Sequence, residues 1–137
     1  MTKKILCATD GTPHSQHAVE LAATLASTLA VPLVICTVNV GRGGARGPLI
    51  FSLEESEVKR ILDSAAAVAK AAKVKTVEEV SLKAREAASA IVQYAEENGC
   101  DHIITGTGDK HGVSRLVLGS VAADVASRAH CTVTVAR

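Results

Sequence analysis

Short aliphatic runs alternate with longer amphipathic segments along this chain, and this alternation restricts the fold more than any other feature. The runs are rich in Val, Ile and Leu, as is typical of strands covered on both faces of a sheet. The runs predicted as strands are residues 4–9, 33–40, 76–82, 102–105 and 132–136. Strands separated by crossover segments pair in parallel. The sequence therefore predicts an α/β fold, a doubly wound five-stranded parallel sheet with helices on both faces, in one domain of residues 1–137.

The segments between these runs carry apolar residues at intervals of three and four, the spacing that places side chains on one helix face. The first helix is expected to follow an N-cap at Thr12 or Ser15, with Pro13 in its first turn and Pro32 beyond its end. The other predicted helices are residues 53–72, 84–97 and 120–129. Residues 41–48 contain four glycines and a proline, which predicts a mobile loop without regular structure.

Charge and aromatic content argue against several classes of partner. The 15 basic and 14 acidic side chains give a net charge of +1, too little to attract nucleic acid or an anionic membrane. Phe51 and Tyr94 are the only aromatic residues, too few for a surface on which bases stack. No apolar run approaches the roughly 20 residues of a membrane span, and the first residues do not resemble a signal peptide. We expect a cytoplasmic protein without a nucleic-acid partner.

Catalytic and metal-binding patterns are weak in this sequence. The candidate nucleophiles Ser15, Ser114 and Ser120 lie in no recognisable Ser-His-Asp arrangement. His14 and His17 are three residues apart but lack a third ligand. The cysteines have no Cys-x-x-Cys spacing and are predicted to be buried, reduced thiols: Cys7, Cys36, Cys100 and Cys131. The sequence therefore predicts a protein that is not an enzyme and has no catalytic or metal-ligating residues of its own.

A glycine-bearing loop follows the fourth predicted strand and ends at Gly119-Ser120, where a helix begins. Glycines allow close approach of the backbone to a ligand, and the free N–H groups of a helix N-terminus stabilise phosphate oxygens. In doubly wound sheets the ligand lies at the carboxyl ends of the strands where the strand order reverses. Thr9-Asp10 and Thr105-Gly106 end the two strands concerned. The sequence therefore predicts a crevice for a phosphorylated small molecule.

Three segments together resemble the universal stress protein family along nearly the whole chain: residues 8–15, residues 105–107 and residues 118–122. Nucleotide-binding members have a motif of glycine, two residues, glycine, nine residues, then glycine and Ser or Thr. Gly106 matches its first position and Gly119-Ser120 its last pair, while Asp109 replaces the second glycine. The resemblance implies a Rossmann-like fold of the adenine nucleotide α-hydrolase-like kind.

The resemblance also implies a role for individual residues. Ala8, Thr9 and Asp10 match the strand end that contacts adenine and ribose, the Asp10 carboxylate taking the ribose hydroxyls or a metal near the phosphates. Val38 and Thr105 match positions that line the adenine pocket. The residues that match the phosphate cradle are Gly106, Gly119, Ser120, Val121 and Ala122.

Asp109 leaves three arrangements open. Its side chain swings out while Gly108 and Gly112 supply flexibility; or it helps to hold Mg²⁺; or the site favours fewer phosphates, as in AMP or cyclic AMP. The expected cofactor is ATP or another adenine nucleotide, with or without Mg²⁺. A carboxylate near triphosphate oxygens costs binding energy unless a cation bridges them. Affinity is therefore expected to be lower than with the full motif.

The resemblance implies a regulator of the stress response that forms a homodimer through its C-terminal strand. The alternative is a protein-interaction module of the same fold that no longer binds nucleotide because of Asp109. ATP hydrolysis is the least favoured reading, since no residue is placed to activate water. The sequence names neither the stress nor a client protein.

Overall fold

The computed structural model describes residues 1–107 and 119–137. Within them the elements follow in the order β1 (Ile5–Ala8), α1 (Pro13–Leu29), β2 (Leu33–Gly43), β3 (Leu49–Phe51), α2 (Glu55–Ala71), β4 (Val77–Ala84), α3 (Ala87–Glu97), β5 (His102–Gly106), α4 (Ser120–Arg128) and β6 (Thr132–Ala136). Thr12 is the N-cap of α1, with its side chain accepting from the Ser15 N–H, and Pro13 opens the helix as predicted. None of the helices described is both long and apolar enough to cross a membrane.

The five strands predicted from the sequence form one parallel sheet in the order β4-β2-β1-β5-β6. Cys7 at the centre of β1 lies in register with Ile35 of β2 and Ile104 of β5. The chain passes from β1 through β2 to β4 in one direction and from β5 to β6 in the other, so α1 and α2 cover one face of the sheet and α3 and α4 cover the opposite face. The doubly wound α/β prediction is confirmed, with β4 and β6 at the two edges.

Two aliphatic clusters lie on the two faces of the sheet, because alternate strand side chains point to opposite sides. Ile5 and Ile35 face α1 and α2, where Val19 and Leu62 are among the buried contacts. On the other face the strands present a second set to α3 and α4: Leu6, Val34, Cys36 and Ile103. The helices thereby exclude water from both faces of β1, β2 and β5.

The four cysteines are free thiols, and all but the half-buried Cys131 are buried as predicted. Burial raises the pKa of the Cys7 thiol to about 12. Burial also raises the pKa of Cys36. These thiols therefore stay protonated at neutral pH.

The predicted irregular loop at residues 41–48 was wrong for its first part. β2 continues to Gly43 and pairs antiparallel with β3, with Gly41 opposite Phe51. A Cβ atom on Gly41 would lie 2.8 Å from side-chain atoms of Leu49 and Phe51, so glycine here allows close packing across the hairpin. The hydrogen bonds of the ladder offset the entropic cost on which the loop prediction depended.

Asn39 holds together the open end of this hairpin, opposite its turn. Its side chain is 1% exposed; Nδ2 donates to the Leu53 carbonyl at 2.8 Å, and Oδ1 accepts from the Leu53 N–H at 2.9 Å.

Helix α3 begins at Ala87 rather than at residue 84, because β4 continues to Ala84. The carboxyl ends of β1, β2 and β5 are therefore framed by the hairpin and by the first turns of α1, α3 and α4.

Candidate ligand-binding site

A cavity of about 220 Å³ lies at the carboxyl ends of β1 and β5, where the sheet order reverses. The predicted site residues that the structure describes all line it: Ala8, Thr9, Asp10, Val38, Thr105, Gly106, Gly119, Ser120, Val121 and Ala122. Asp109 and Gly112 lie outside the described residues. Segments about a hundred residues apart in the chain therefore meet at one crevice, as the parallel topology requires.

Five further residues line the cavity that sequence reasoning did not assign to it: Thr12, Ser15, Ala87, Ile91 and Thr107. The sequence predicted Thr12 or Ser15 as a helix cap, and Ser15 was also weighed as a nucleophile, although a cap that follows a strand end must lie at the same edge of the sheet. Ala87 and Ile91 are one helical turn apart on α3, which begins just after β4 ends. These residues could have been predicted, because in a parallel sheet the carboxyl ends of the strands and the first turns of the following helices lie at the same edge.

Residues 9–15 form a hydrogen-bonded turn, here called the Asp10 turn. The Gly11 N–H donates to Thr9 Oγ1 at 3.2 Å, and Thr9 Oγ1 lies 2.9 Å from Ser15 Oγ. Ser15 Oγ donates to the Thr12 carbonyl at 2.9 Å. Since the single Ser15 hydroxyl hydrogen is used there, Thr9 is the donor of the Thr9–Ser15 pair. Both hydroxyls thus hold the first turn of α1 against the end of β1.

Asp10 is held by its neighbour two residues on. Its Oδ1 accepts from the Thr12 hydroxyl at 2.6 Å and from the Thr12 N–H at 3.0 Å. Loss of surrounding water raises the pKa of the Asp10 carboxyl, but the Thr12 hydrogen bonds and the nearby Ser15 side chain outweigh this, and the pKa lies below its ordinary value. The group is therefore an ionised acceptor at neutral pH.

Gly106 is packed against the protein rather than against open space. A Cβ atom at this position would lie 2.7 Å from the His14 carbonyl oxygen and 3.0 Å from Ser15 Cα. These are backbone atoms of the Asp10 turn, which cannot give way as a flexible side chain can. The absence of a side chain at Gly106 is thus explained by the close approach of α1 to β5.

The N-terminus of α4 faces the same cavity. Gly119 is its N-cap and provides no capping side chain, and the Ala123 N–H donates to the Gly119 carbonyl at 2.9 Å. The N–H groups of Ser120, Val121 and Ala122 therefore have no acceptor within the helix. The first turn of α4 carries no acidic residue, so the helix dipole is not neutralised there. This arrangement suits an anion.

The described lining contains one carboxylate, that of Asp10. No group of three or more His, Cys, Asp or Glu side chains suited to a metal ion occurs in residues 1–107 or 119–137. Mg²⁺ commonly binds one or two carboxylates together with substrate phosphates and water. Asp10 fits that pattern as the protein ligand, with the phosphates of a nucleotide providing the rest.

Comparison with known proteins agrees with this architecture. A crystallised universal stress protein in complex with cAMP superposes with a TM-score of 0.79 at 26% identity, covering 99% of this chain and 97% of that one. A universal stress protein from Archaeoglobus fulgidus superposes with a TM-score of 0.81 at 24% identity over the whole of both chains.

Sequence comparison gives the same family. A universal stress protein of Methanocaldococcus jannaschii is 46% identical over 50 residues, which are 36% of this chain and 29% of that protein. The matched segment thus spans less than a third of that relative. The model of the universal stress protein family matches residues 1–137. This chain therefore belongs to the universal stress protein family.

Proposed function

We propose that this protein is an adenine-nucleotide-binding regulator of the stress response and acts as a single domain of residues 1–137. The observation that carries the proposal is the cavity between β1 and β5, with an ionised carboxylate at Asp10 and, at the start of α4, N–H groups that have no acceptor within the helix. The N–H groups of α4 can donate to a phosphate, and the carboxylate of Asp10 can accept from a sugar hydroxyl. These two partners match the two polar parts of a nucleotide.

The relative at 26% identity that was crystallised with cAMP supports the adenine nucleotide as ligand. In this chain the apolar side chains of Val38 and Ile91, with Ala8 and Thr105, form the wall suited to the base. Asp10 accepts from the sugar or holds Mg²⁺, and the start of α4 with Gly106 cradles the phosphates. ATP, AMP and cyclic AMP are the candidate ligands, and Asp109 and Gly112 belong to the phosphate loop by their place in the sequence.

A regulatory role fits the described lining better than catalysis does. The hydroxyl of Ser15 is already bonded to Thr9 and Thr12, and no histidine is among the described lining residues. A nucleophile needs a base within hydrogen-bonding reach. We propose a cytoplasmic homodimer, joined through β6, in which the bound nucleotide alters contacts with a protein partner.

Titration calorimetry tests the proposal. Nucleotide-stripped protein is titrated with ATP, AMP and cyclic AMP, each with Mg²⁺ and with EDTA. At least one nucleotide is expected to bind, and Asp10→Asn is expected to weaken it about tenfold or more, because hydrogen bonds to charged groups contribute about 1.5–3 kcal/mol.

Asp124→Asn is the matched control. Asp124 is half-buried on α4 and does not line the cavity, so this variant should keep wild-type affinity. Absence of heat and of a thermal shift with all three nucleotides contradicts the proposal. Nucleotide hydrolysis is assayed in parallel by product formation, which an enzyme would show and a regulator would not.

The second candidate function, a protein-interaction module without nucleotide, is favoured by Asp109 standing where the motif has glycine. A carboxylate repels triphosphate oxygens when no cation bridges them. Asp109→Gly separates the two functions: a large gain in ATP affinity means that the carboxylate has disabled the site, whereas a loss means that it takes part in binding.

A further inference from the structure

The β2–β3 hairpin has two faces of different chemistry, because successive strand residues point to opposite sides. On the side of α2, Lys83 Nζ lies 5.2 Å from the centre of the Phe51 ring and pairs with Glu55 at 3.1 Å. Arg42 and Ile50 are directly opposite each other in the ladder, and each is one residue away from the positions that pack toward α2. Their side chains therefore lie side by side on the other face.

Three arginines lie at or near the turn of this hairpin. Arg42 and Arg46 belong to it, and residues 39–53 contain no acidic residue. Arg85, which follows β4, rests against the turn, since a Cβ atom on Gly44 would lie 2.8 Å from Arg85 Nη2. None of the ion pairs within residues 1–107 and 119–137 involves these arginines. Their charges are therefore available to a partner.

An aliphatic side chain is exposed beside these charges. Ile50 is 70% exposed, whereas its neighbours Leu49 and Phe51 are half-buried. Arginines beside an exposed apolar side chain are typical of protein interfaces, in which Arg is enriched over the rest of the surface. The four residues concerned are here called the hairpin patch: Arg42, Arg46, Ile50 and Arg85.

We propose that the hairpin patch binds an acidic segment of a protein partner, with carboxylates on the arginines and an aliphatic side chain on Ile50. Charge complementarity favours this occupant, because a planar guanidinium binds a carboxylate through two parallel hydrogen bonds. Residues 39–53 supply no carboxylate that would repel such a segment.

Other anionic partners fit the hairpin patch less well. Single-stranded nucleic acid binds through bases stacked on aromatic rings, but the Phe51 ring lies on the other face against Lys83. Stable attachment to an anionic membrane takes two strong signals, such as an acyl chain and a polybasic cluster. Three arginines and one isoleucine provide less than this.

The hairpin patch shares a face of the sheet with the cavity but none of its residues. Val38 lines the cavity, and Arg42 follows it on the same face of β2, roughly 13 Å further along at about 3.3 Å per residue. No residue of the patch lines the cavity. Binding at the hairpin therefore does not require nucleotide, and the two kinds of binding can be measured separately.

Selection from a library of random peptides on the nucleotide-stripped protein tests the chemistry of the partner. Peptides that combine Asp or Glu with Leu, Ile or Val should be enriched. In fluorescence anisotropy an enriched peptide should bind more weakly as salt is added, because salt screens the arginines. Lack of enrichment, enrichment of peptides without acidic residues, or binding that is insensitive to salt overturns the proposal.

Variants of the hairpin patch and matched controls locate the binding. Arg42→Glu and Ile50→Gln should each weaken the enriched peptide about fivefold or more, the first through lost attraction and new repulsion. Arg60→Glu makes the same charge change on the exposed side of α2, and Leu29→Gln replaces a 47% exposed aliphatic residue of α1. Both controls should stay within about twofold of wild type.

Equal losses in the patch variants and the controls contradict the proposal, as does unchanged affinity in the patch variants. Circular dichroism and thermal denaturation establish that each variant is folded.

Two further probes separate a protein partner from other anionic partners. Vesicles that contain phosphatidylserine, and single-stranded DNA, are compared with the enriched peptide in the same buffer. Weaker binding of both supports the proposal, and tighter binding of either overturns it. Because no nucleotide is present, failure of the proposed nucleotide binding would leave these results unchanged, and the two failures can be told apart.

Discussion

Single residues around the cavity are constrained by the packing of the protein before any ligand is considered. Gly106 must lack a side chain because the first turn of α1 lies against it. Thr12 must carry a hydroxyl to cap α1 and to bond Asp10 at the same time. A residue that matches a ligand-binding motif therefore also serves the fold, and its substitution is expected to affect both.

Gly106→Ala is expected to lower the free energy of unfolding by about 1–3 kcal/mol, the usual cost of an extra methyl in a filled space. The added Cβ would lie 2.7 Å from the His14 carbonyl oxygen, so the backbone of α1 or β5 has to move. Urea denaturation measures the change. Gly47→Ala is the control: no atom lies within 4 Å of its added Cβ, and it should change stability by less than about 0.5 kcal/mol. Equal stability of the two variants would contradict this packing role.

At the level of elements, the last strand β6 pairs with β5 and with no other strand in residues 1–107 and 119–137. A side-chain bond strengthens this attachment: His102 Nε2 lies 2.7 Å from Thr134 Oγ1, and Nδ1 lies 3.5 Å from Thr2 Oγ1. Burial lowers the pKa of His102 below its ordinary value of 6.5, while neighbouring Asp101 acts in the opposite direction. The folded protein therefore favours the neutral imidazole.

The lowered pKa of His102 makes the free energy of unfolding depend on pH. The unfolded chain takes up a proton on His102 more readily than the folded protein does. The stabilisation associated with neutral His102 is therefore complete above about pH 6.5 and is lost as the pH falls toward the lower pKa of the folded state. The free energy of unfolding should fall between pH 7 and pH 5, and less steeply in His102→Gln. Urea denaturation at several pH values measures both slopes. His17→Gln, exposed on α1, should keep the wild-type slope; an equally flattened slope in that control would rule out His102 as the source.

The β2–β3 hairpin shows why one element was mispredicted. Glycine content alone indicated an irregular segment at residues 41–48, yet Gly41 and Gly43 lie in a paired ladder with Phe51 and Leu49. Whether a glycine-rich strand is ordered depends on the partner strand it meets, and that partner lies outside the local pattern. The start of α1, in contrast, depends on adjacent residues: the sequence allowed Thr12 or Ser15 as the N-cap with Pro13 in the first turn, and the structure has Thr12 as the cap and Pro13 in the first turn.

For the whole molecule, the two edges of the sheet differ in charge. β4 places Glu78, Glu79 and Lys83 in solvent, which discourages pairing with another strand. β6 contains only Thr, Val and Ala between Thr132 and Ala136. The β6 edge is therefore the better surface for a second copy of the chain, in agreement with the proposed homodimer.

Substitutions on the two edges test this assembly. Val133→Pro removes a backbone donor from β6, and Val135→Lys adds a charge to the half-buried edge. Both are expected to shift the protein toward monomer in light-scattering measurements. Ser81→Lys, exposed on the opposite edge strand β4, should leave the dimer intact. A folded Val135→Lys variant that remains a dimer would place the interface elsewhere.

The sequence by itself determined the alternation of strands and helices, the parallel sheet and the edge at which a ligand site forms. These follow from periodicity, from helix caps and from the rule that parallel strands present their carboxyl ends together. The sequence also predicted that one crevice is lined by Thr9, Asp10, Thr105 and Gly119. A residue at the end of a strand can be placed in the sheet once the order of the strands is known.

Tertiary structure alone decided the contacts inside that frame. The bond between Thr12 and one oxygen of Asp10, the approach of α1 to Gly106 and the pairing of His102 with Thr134 depend on distances and side-chain rotamers. Gly106 and the Asp10 turn are about ninety residues apart in the chain, and His102 and Thr134 about thirty. Patterns among residues close together in the sequence do not predict such pairs, because the pairs form only when the sheet and its helices pack against each other.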